Sequence, residues 1–400
     1  MTLTAVDNDW WPRFSDGEYR RRYRVMQDGM RKRGIDILLI HGTAIFFGSD
    51  PGAPNLAYLA AYAPGCQGYV VLPVDEEPTL LVFAPGHSDN AREFSVINDV
   101  RAGNDLMSLA LERIREVGHP IDTLGIVGNF GWAKSSIPYE HYVSLQESLI
   151  GTRLEIVTGW YEDLRLLKSA EELEFMEAGA RFTDEAHRAL RDMVEPGVTD
   201  ISLHNKVLRL VHELGGRIPF GHVGSTSMIA PTLSYPNFYP SNRTIQRGDV
   251  VLTEISAGYG GYFGKIYGTL TVGPPTRRFK EMLTVAAEIY EQTRNSMNQG
   301  MATNDSDAHL RLGWVDTVYQ SWSFICGWST YNTRPAQNRV ASPPDREMRL
   351  RAGHCLNLTG WVRDKASAGG VWLGDTIVMT EDGARRLHDY PVTDLDYSIV

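Results

Sequence analysis

The stretch VVLTEISAGYGGYFGKIYGTLTV, residues 250–272, decides how the second half of this chain folds. Its outer parts, VVLTEIS and YFGKIYGTLTV, are rich in β-branched and aromatic residues, which favour strands. The segment GYGG at 258–261 lies between them and is typical of a tight turn. The pattern therefore predicts a β-hairpin.

This hairpin brings two opposite charges together. If Tyr259 and Gly260 form the turn, Glu254 lies directly opposite Lys265 on the same face. Large side chains share that face, namely Leu252, Phe263 and Tyr267. A lysine in such surroundings either pairs with a carboxylate or has a lowered pKa. The alternative interpretation is an ordinary cross-strand ion pair on a solvated face.

Length, composition and charge limit the class of protein. A chain of 400 residues with 42% hydrophobic and 22% charged residues can bury sizeable cores, so we expect two domains. The net charge of −10 and the lack of basic clusters argue against nucleic acid as a partner, because phosphate binding needs concentrated Lys and Arg. No apolar stretch approaches the roughly 20 residues of a membrane span, and the polar N-terminus does not resemble a signal peptide. We therefore expect a cytoplasmic protein that spans no membrane.

The three cysteines give no sign of a disulfide framework or a metal site. Cys66, Cys326 and Cys355 are far apart in sequence and show no CxxC spacing. We interpret them as small core residues.

The order of predicted elements changes near residue 160. Up to that point helices and strands alternate, beginning with an amphipathic helix at 16–33 and the strand IDILLI at 35–40. This alternation predicts an α/β domain over residues 1–160. A connector is predicted at 159–167, and residues 161–400 combine long helices with strands, which predicts an α+β domain.

The second domain has clear helix boundaries. Ser169 and Glu172 form a predicted capping box at the start of its first helix. The EPGVTD segment ends that helix, and Thr199 or Asp200 can cap the next one. Further helices are predicted at 276–299 and 305–319, and strands at 355–360 and 370–380.

Several phrases, in this order, resemble the creatinase, prolidase and aminopeptidase P group of the M24 family. They are LRLLKSAEELEFMEAGARFTDEAHRAL at 164–190, EPGVTDISLHNKV at 195–207, residues 247–273 around the hairpin, and GGVWLGDTIVMTEDGARRL at 369–387. The segment NLAYLAAYAP at 55–64 is similar to the smaller domain that precedes the catalytic domain in that group. The resemblance covers nearly the whole chain. It implies an N-terminal α/β domain followed by an α+β domain with the pita-bread fold.

The metal-ligand positions are where this sequence departs from the family. Metal-dependent members hold two divalent ions with two aspartates on the hairpin, a histidine, and two glutamates on the closing strands. The aspartate positions correspond here to Glu254 and Lys265, and the glutamate positions to Thr359 and Gly374. The histidine region corresponds to FICGWSTYNTRP, with Trp328 or a neighbour at that place. The resemblance therefore implies no metal centre of the family type, and we expect no cofactor.

Metal-free relatives of the creatinase kind hydrolyse a C–N bond with a histidine and carboxylates. The histidine position corresponds to Asn237, and the glutamate on the second hairpin strand to Tyr267. At the matching positions this sequence therefore has neither the complete set of metal ligands nor the catalytic residues of the metal-free relatives.

The residues nevertheless suggest a metal-independent enzyme acting on a small molecule. An ammonium at Lys265, compensated by Glu254, would put a fixed positive charge where a metal ion would lie. We expect this pair at the chemistry, His222 or Tyr267 in proton transfer, and Asp375 as a second carboxylate. For His222 and Asp375 a structural role is the alternative, and for the pair the alternative is a plug in a retired site.

The predicted substrate is amino-acid-like or amidine-like and loses a C–N bond by hydrolysis. Arg334 falls near where creatinase-like members place an arginine that binds a carboxylate of the substrate, and a guanidinium suits that role because it binds a carboxylate in a bidentate manner. The alternative for Arg334 is an ordinary surface residue. Candidate substrate-binding positions around it are Tyr235, Asn237, Trp328, Tyr331 and Thr359. Their aromatic members suit a flat or cationic ligand, although aromatic residues are more often core.

Two other functions stay open at this point. A lyase or isomerase would use a Lys or Tyr base without activated water. A catalytically inactive protein of the same fold would only bind a ligand or a partner. The resemblance also implies a homodimer.

Overall fold

The computed structural model describes residues 12–43, 54–62, 67–128, 137–237, 239–302, 318–327 and 349–394. The chain divides into two compact units, and the boundary lies between Arg165 and Leu166. No helix within the described ranges is both long and apolar enough to cross a membrane.

The N-terminal unit is a mixed α/β structure. Its described strands form a six-stranded sheet in the order β4-β3-β2-β1-β5-β6. The three strands β1, β2 and β3 pair antiparallel, whereas β4, β5 and β6 each join a neighbour in parallel. In chain order the elements are α1 (Asp16–Arg33), β1 (Ile37–Thr43), α2 (Pro54–Ala60), β2 (Gln67–Pro73), β3 (Thr79–Phe83), α3 (Ser88–Phe94), β4 (Asp99–Gly103), α4 (Leu106–Glu116), β5 (Thr123–Val127), α5 (Tyr139–Ser148), β6 (Arg153–Ile156) and α6 (Thr158–Leu166).

Helix α1 has the boundaries that its sequence predicts. The Ser15 side chain accepts a hydrogen bond from the Glu18 backbone at its start, and Gly34 ends it with a φ of 64°. The predicted connector at 159–167 is instead mostly helical, because Thr158–Leu166 forms α6.

The C-terminal unit is an α+β structure built on an antiparallel sheet. Its described strands follow the order β10-β11-β12-β9-β8-β7, with β13 beside β12. In chain order the elements are α7 (Ala170–Met193), α8 (Asp200–Glu213), β7 (Arg217–Ser227), β8 (Asp249–Tyr259), β9 (Tyr262–Thr271), α9 (Arg277–Ser296), β10 (Tyr319–Gly327), β11 (Cys355–Asp364), β12 (Gly370–Thr380) and β13 (Gly383–Arg386).

The helix caps of this unit agree with the sequence. Ser169 and Glu172 make both hydrogen bonds of the capping box that begins α7. Thr199 caps α8 by accepting from the Ser202 backbone. Most of the predicted helix at 305–319 lies outside the described residues, and Tyr319 begins strand β10. The described cysteine side chain, Cys355, is buried as a free thiol, and burial raises its pKa to about 12.

The central hairpin forms, but its turn lies one residue later than predicted. Tyr259 pairs with Tyr262, so Gly260 and Gly261 occupy the turn. Their φ values of 54° and 81° are both positive, and glycine adopts such values without steric cost. Lys265 therefore pairs with Ser256, and Glu254 pairs with Tyr267. The shift of two positions keeps Glu254 and Lys265 on one face as diagonal neighbours.

The helices α7 and α9 pack on the other face of the sheet. Gly179 of α7 lies so close to the hairpin that a Cβ there would come 2.8 Å from the carbonyl oxygen of Tyr262. Gly264 of β9 would likewise meet the Cα of Ala180 at 2.5 Å. The backbones of α7 and the hairpin are thus in direct contact, which fixes α7 to the face opposite Glu254.

This contact predicts that Gly179→Ala destabilises the protein by about 1–3 kcal/mol, since the new methyl group would press on the backbone of the hairpin. Gly17→Ala is the matched control in another helix, because its Cβ would only contact the Ser15 Oγ at 3.6 Å. The control should be neutral or stabilising by roughly 0.5–1 kcal/mol. Urea unfolding followed by circular dichroism measures both, and equal stabilities of the two variants would contradict this packing.

Candidate functional site

The face of the C-terminal sheet opposite the helices carries two rows of side chains that run across the strands. We call the first the glutamate row. Each of its residues pairs with the next one on the neighbouring strand, in the order His222, Glu254, Tyr267, Gly374 and Thr359. The second, the lysine row, consists of Ser256, Lys265, Thr376 and Asn357. Both rows lie on one face because side chains two residues apart on a strand point the same way.

Glu254 is the centre of the contacts in the glutamate row. The Lys265 ammonium contacts its Oε1, and the Tyr235 hydroxyl donates a hydrogen bond to its Oε2 at 3.1 Å. The Nδ1 atom of His222 lies 3.7 Å from the same Oε2. Glu254 and Lys265 are only 5% and 4% exposed, so the structure excludes a solvated surface ion pair.

Burial and pairing shift the pKa of Glu254 in opposite directions. Burial raises the pKa of this carboxyl group, but the Lys265 ammonium, its hydrogen bond to Glu254 and the neighbouring His222 outweigh it and hold the pKa below the usual value. Glu254 is therefore a carboxylate at neutral pH. Burial and the neighbouring Glu254 together raise the pKa of the Tyr235 phenol far above its usual value, so Tyr235 remains a hydrogen-bond donor.

Aromatic rings form a wall beside the ion pair. The Lys265 Nζ lies 4.9 Å from the ring centroid of Tyr267. The ring of Trp372 packs edge-on against Tyr267 at 5.3 Å and against Tyr235 at 5.0 Å, and Trp361 lies 5.7 Å from Trp372. Tyr235 is 38% exposed, which makes it the solvent-facing member of the wall.

Asp375 does not join this cluster. It pairs with Ile266, on the helix-bearing face of the sheet. Its Oδ1 accepts a hydrogen bond from the Tyr290 hydroxyl at 2.6 Å, and its Oδ2 accepts one from Arg386 Nε at 2.7 Å. Consecutive residues of a strand point to opposite faces, so the neighbour of Gly374 points away from Glu254. The structure gives Asp375 a role in holding α9 and β13 to the sheet.

The predicted substrate-binding residues lie in different places in the structure. Thr359 belongs to the glutamate row and is 1% exposed. Asn237 is exposed and follows Tyr235 on the loop after β7. Trp328, Tyr331 and Arg334 lie outside the described residues.

The donor set of this site does not fit a dinuclear metal centre. One of the two hairpin positions is an ammonium, which cannot be a metal ligand while it is protonated. At the last ligand position a Cβ on Gly374 would lie 2.6 Å from the Cα of Thr359, so strand β11 leaves no room for a side chain. Within the described ranges, no three His, Cys, Asp or Glu residues are placed to hold a metal ion.

Comparison with known families agrees with this architecture. Residues 174–381 match the model of metallopeptidase family M24, and residues 22–167 match the creatinase/prolidase N-terminal domain. The chain belongs to the M24 family. The pita-bread fold expected from the sequence resemblance is confirmed.

Two curated relatives of this M24 chain are hydrolases by name. It is 24% identical to an Xaa-Pro dipeptidase of Pyrococcus horikoshii, over 90% of this chain and 94% of that protein. It is 23% identical to an ectoine hydrolase of Halomonas elongata, over 94% of this chain and 97% of that protein.

Solved structures support the fold along most of the chain. A prolidase from Pyrococcus horikoshii matches with a TM-score of 0.74 and 21% identity, covering 93% of this chain and all of that one. A dipeptidase from Mycobacterium ulcerans matches with a TM-score of 0.77 and 20% identity, covering 95% of this chain and 98% of that one.

The sequence analysis missed the lysine row apart from Lys265 itself. Thr376 Oγ1 accepts a hydrogen bond from the Lys265 backbone at 2.9 Å and donates one to Asn357 Oδ1 at 2.8 Å. Ser256 could have been found from the alternation of strand β8, since it lies two residues after Glu254. The pairing of β9 with β12 has no local signal, so Thr376 and Asn357 could not be placed beside Lys265.

The burial of both charges predicts coupled stability effects. Lys265→Met should destabilise the protein by about 3–5 kcal/mol, because it leaves the Glu254 carboxylate buried without its ammonium. The double variant Glu254→Gln/Lys265→Met should be more stable than Lys265→Met, since no charge is then left unpaired. Urea unfolding of the wild type, both single variants and the double variant gives the coupling energy. Additive effects of the two changes would contradict a coupled pair.

The pH dependence of these variants follows from the lowered pKa of Glu254. In the wild type the folded-state pKa lies below the usual value of 4.5, so the stability from this group is present at neutral pH and is lost as pH falls through the folded-state pKa. In Lys265→Met, burial alone should raise that pKa, so stability should be higher at acid pH and fall as pH rises. The difference in melting temperature between wild type and Lys265→Met should therefore shrink from about pH 8 to about pH 5. A constant difference would show that the carboxylate is not the cause.

Proposed function

We propose that this protein is a metal-independent hydrolase that cleaves a C–N bond of an amino-acid-like or amidine-like small molecule. The observation that carries the proposal is the Lys265 ammonium, buried against the Glu254 carboxylate at two positions that resemble the metal-binding aspartates of the family. The names of the relatives, an Xaa-Pro dipeptidase and an ectoine hydrolase, support hydrolysis of a small C–N substrate.

The Lys265 ammonium would act as the electrophile. A fixed positive charge in a buried site stabilises negative charge that develops on a carbonyl oxygen. The contact with the Glu254 carboxylate holds the ammonium in place. Tyr267, whose ring lies 4.9 Å from Nζ, limits the directions in which the ammonium can move.

The Glu254 carboxylate and His222 would handle protons. A carboxylate that is ionised at neutral pH accepts a proton from an attacking water, and His222 lies 3.7 Å from its Oε2. A histidine at this distance can pass the proton to the leaving nitrogen after a small adjustment. Tyr235 would hold Glu254 in orientation through its 3.1 Å hydrogen bond. Tyr267 remains the alternative to His222 in proton transfer.

Substrate screening with a chelator tests this proposal. Purified enzyme with excess EDTA should release a free amine from at least one member of a panel of Xaa-Pro dipeptides, N-acyl amino acids and cyclic amidines such as ectoine. Metal analysis of the same sample should find less than stoichiometric divalent ion. Turnover that is lost with EDTA and restored by a divalent ion would contradict metal independence.

Variants at Lys265 test the electrophile. Lys265→Met should lower kcat by about 100-fold or more, the size of effect seen when an oxyanion-stabilising group is removed. The double variant Glu254→Gln/Lys265→Met should remain inactive although it regains stability, which separates chemistry from folding. Lys280→Met is the matched control, because Lys280 is exposed on α9. Full activity of the double variant would assign the ion pair to structure alone.

Isotope labelling separates hydrolysis from the other possible reactions. In water enriched in oxygen-18, a hydrolase incorporates the label into the acid product, whereas a lyase or isomerase leaves the product unlabelled. A protein that binds members of the panel without turning any of them over would instead be an inactive binding protein.

The proposal also includes the oligomer and the location: we expect a homodimer in the cytoplasm.

A further inference from the structure

The side chain of Tyr235 lies between the buried ion pair and solvent. Glu254 and Lys265 are almost fully buried. His222 and Tyr267, which also contact the pair, are buried to the same degree. Tyr235 donates its hydrogen bond to Glu254 Oε2 and is 38% exposed. Within the described part of the chain, a small molecule that approaches Glu254 along this exposed contact must therefore pass the Tyr235 ring.

The backbone on both sides of Tyr235 lies directly on the sheet. A Cβ on Gly370 would come 2.7 Å from the Cβ of Ser234, and a Cβ on Gly224 would come 3.3 Å from the Cα of Pro236. The two glycines thus let the neighbours of Tyr235 approach the strands closely. Access to Glu254 at this place therefore requires a rotation of the Tyr235 side chain and no movement of the backbone.

The contacts that hold the Tyr235 ring are weak ones. Its ring meets Trp372 edge-on at 5.0 Å and lies 6.2 Å from Trp361. Its hydrogen bond of 3.1 Å is longer than the usual range of about 2.5–3.0 Å for a hydroxyl donor and an oxygen acceptor. A ligand that replaces this hydrogen bond and covers the same aromatic surface can offset the loss of these contacts.

The Tyr235 hydroxyl also occupies the position that a donor of a ligand would take. Glu254 Oε1 contacts the Lys265 ammonium, so Oε2 is the oxygen that faces Tyr235. The Nδ1 atom of His222 is 3.7 Å from Oε2, which is too long for a direct hydrogen bond. An N–H group can take over from the hydroxyl without leaving the buried carboxylate oxygen unsatisfied.

We infer that Tyr235 is a specificity-determining gate: a ligand turns its ring aside and donates an N–H of its own to Glu254 Oε2. This inference rests on the proposed function, since amides and amidines with a C–N bond carry such N–H groups. The ligand that fits is flat, because the rings of Trp361 and Trp372 line the same place. A molecule of the same shape without an N–H group leaves Glu254 Oε2 unsatisfied and binds poorly.

Chemical labelling tests the gate without a substrate. N-hydroxysuccinimidyl acetate acetylates lysine, and peptide mass spectrometry gives the rate at Lys265 relative to the exposed Lys280. In Tyr235→Ala the rate at Lys265 should rise about tenfold or more, because the reagent then reaches the ammonium without waiting for the ring to open. Tyr235→Phe keeps the ring and removes only the hydroxyl, so its rate should stay close to that of the wild type.

Two controls make the labelling interpretable. Tyr239→Ala removes an 84% exposed tyrosine from the same loop and should leave the rate at Lys265 unchanged. Lys168 is buried in the same unit, and faster labelling there would reveal general unfolding, in which case Tyr235→Leu replaces Tyr235→Ala. The gate is overturned if Lys265 reacts at the wild-type rate in the opened variant, or if Tyr235→Phe raises the rate as much.

Titration calorimetry with three small ring compounds tests the donor. 2-Iminopiperidine and 2-piperidone are flat around an N–H group, and N-methyl-2-piperidone is the matched compound without it. At least one of the first two should bind about tenfold more tightly than N-methyl-2-piperidone, because the latter leaves the carboxylate oxygen without a donor. Tyr235→Phe should bind the N–H compound severalfold more tightly than the wild type, since no hydroxyl then competes for Oε2. Equal binding of the N-methyl compound, or no binding of any of the three, would refute the role of the donor.

The outcomes distinguish this inference from the proposed function. Faster labelling in Tyr235→Ala and tighter N–H binding in Tyr235→Phe, without amine release from any substrate, would keep the gate and remove the hydrolase. Metal-independent amine release with a KM that neither variant changes would do the reverse.

Discussion

The buried ion pair of Glu254 and Lys265 is the constraint on which the candidate site depends. Burying either charge alone would cost about 3–5 kcal/mol, a large part of the stability of a typical domain. The pair can form only if the hairpin keeps both side chains on one face in adjacent registers. The same carboxylate then holds Tyr235 through a hydrogen bond, which ties the loop after β7 to the sheet. The ion pair thus depends on the register of the hairpin, and the loop that carries Tyr235 is in turn bound to the ion pair.

The sequence could predict this pair even with the wrong turn, and the reason is the period of a strand. Moving the turn from Tyr259–Gly260 to Gly260–Gly261 shifts the pairing by two positions, and a shift of two leaves every side chain on its original face. A shift of one would have separated the charges. The predicted boundaries of α1 and the capping box of α7 were similarly robust, because the residues that cap a helix are local signals.

The errors at Asp375 and in the lysine row have a different origin. Asp375 was proposed from its position next to a family ligand position, but adjacent residues of a strand lie on opposite faces, and its carboxylate binds Tyr290 and Arg386 behind the sheet. Asn357 was missed because it and Thr376, which pair between the consecutive strands β11 and β12, come beside Lys265 only through the pairing of β12 with the distant strand β9. Such cross-strand relations depend on the register of the whole sheet, which a single sequence does not encode locally. The resemblance to a family predicted where the candidate site would lie, whereas only the structure shows which side chains of neighbouring strands share its face.

Replacing metal ligands by an ion pair changes which steps of a hydrolysis the fold can assist. A divalent ion supplies both an electrophile for the carbonyl oxygen and a bound water of lowered pKa. An ammonium supplies the first of these but not the second, so the water must be activated by a base. In the proposed hydrolase Glu254 would be this base, because Lys265 holds its pKa down and keeps it ionised, but the same contact reduces its affinity for a proton. The two functions are therefore opposed within one pair: a tighter ion pair favours the electrophile and weakens the base. In the proposed mechanism His222, whose Nδ1 lies 3.7 Å from Oε2, would resolve this conflict by taking the proton on from Glu254.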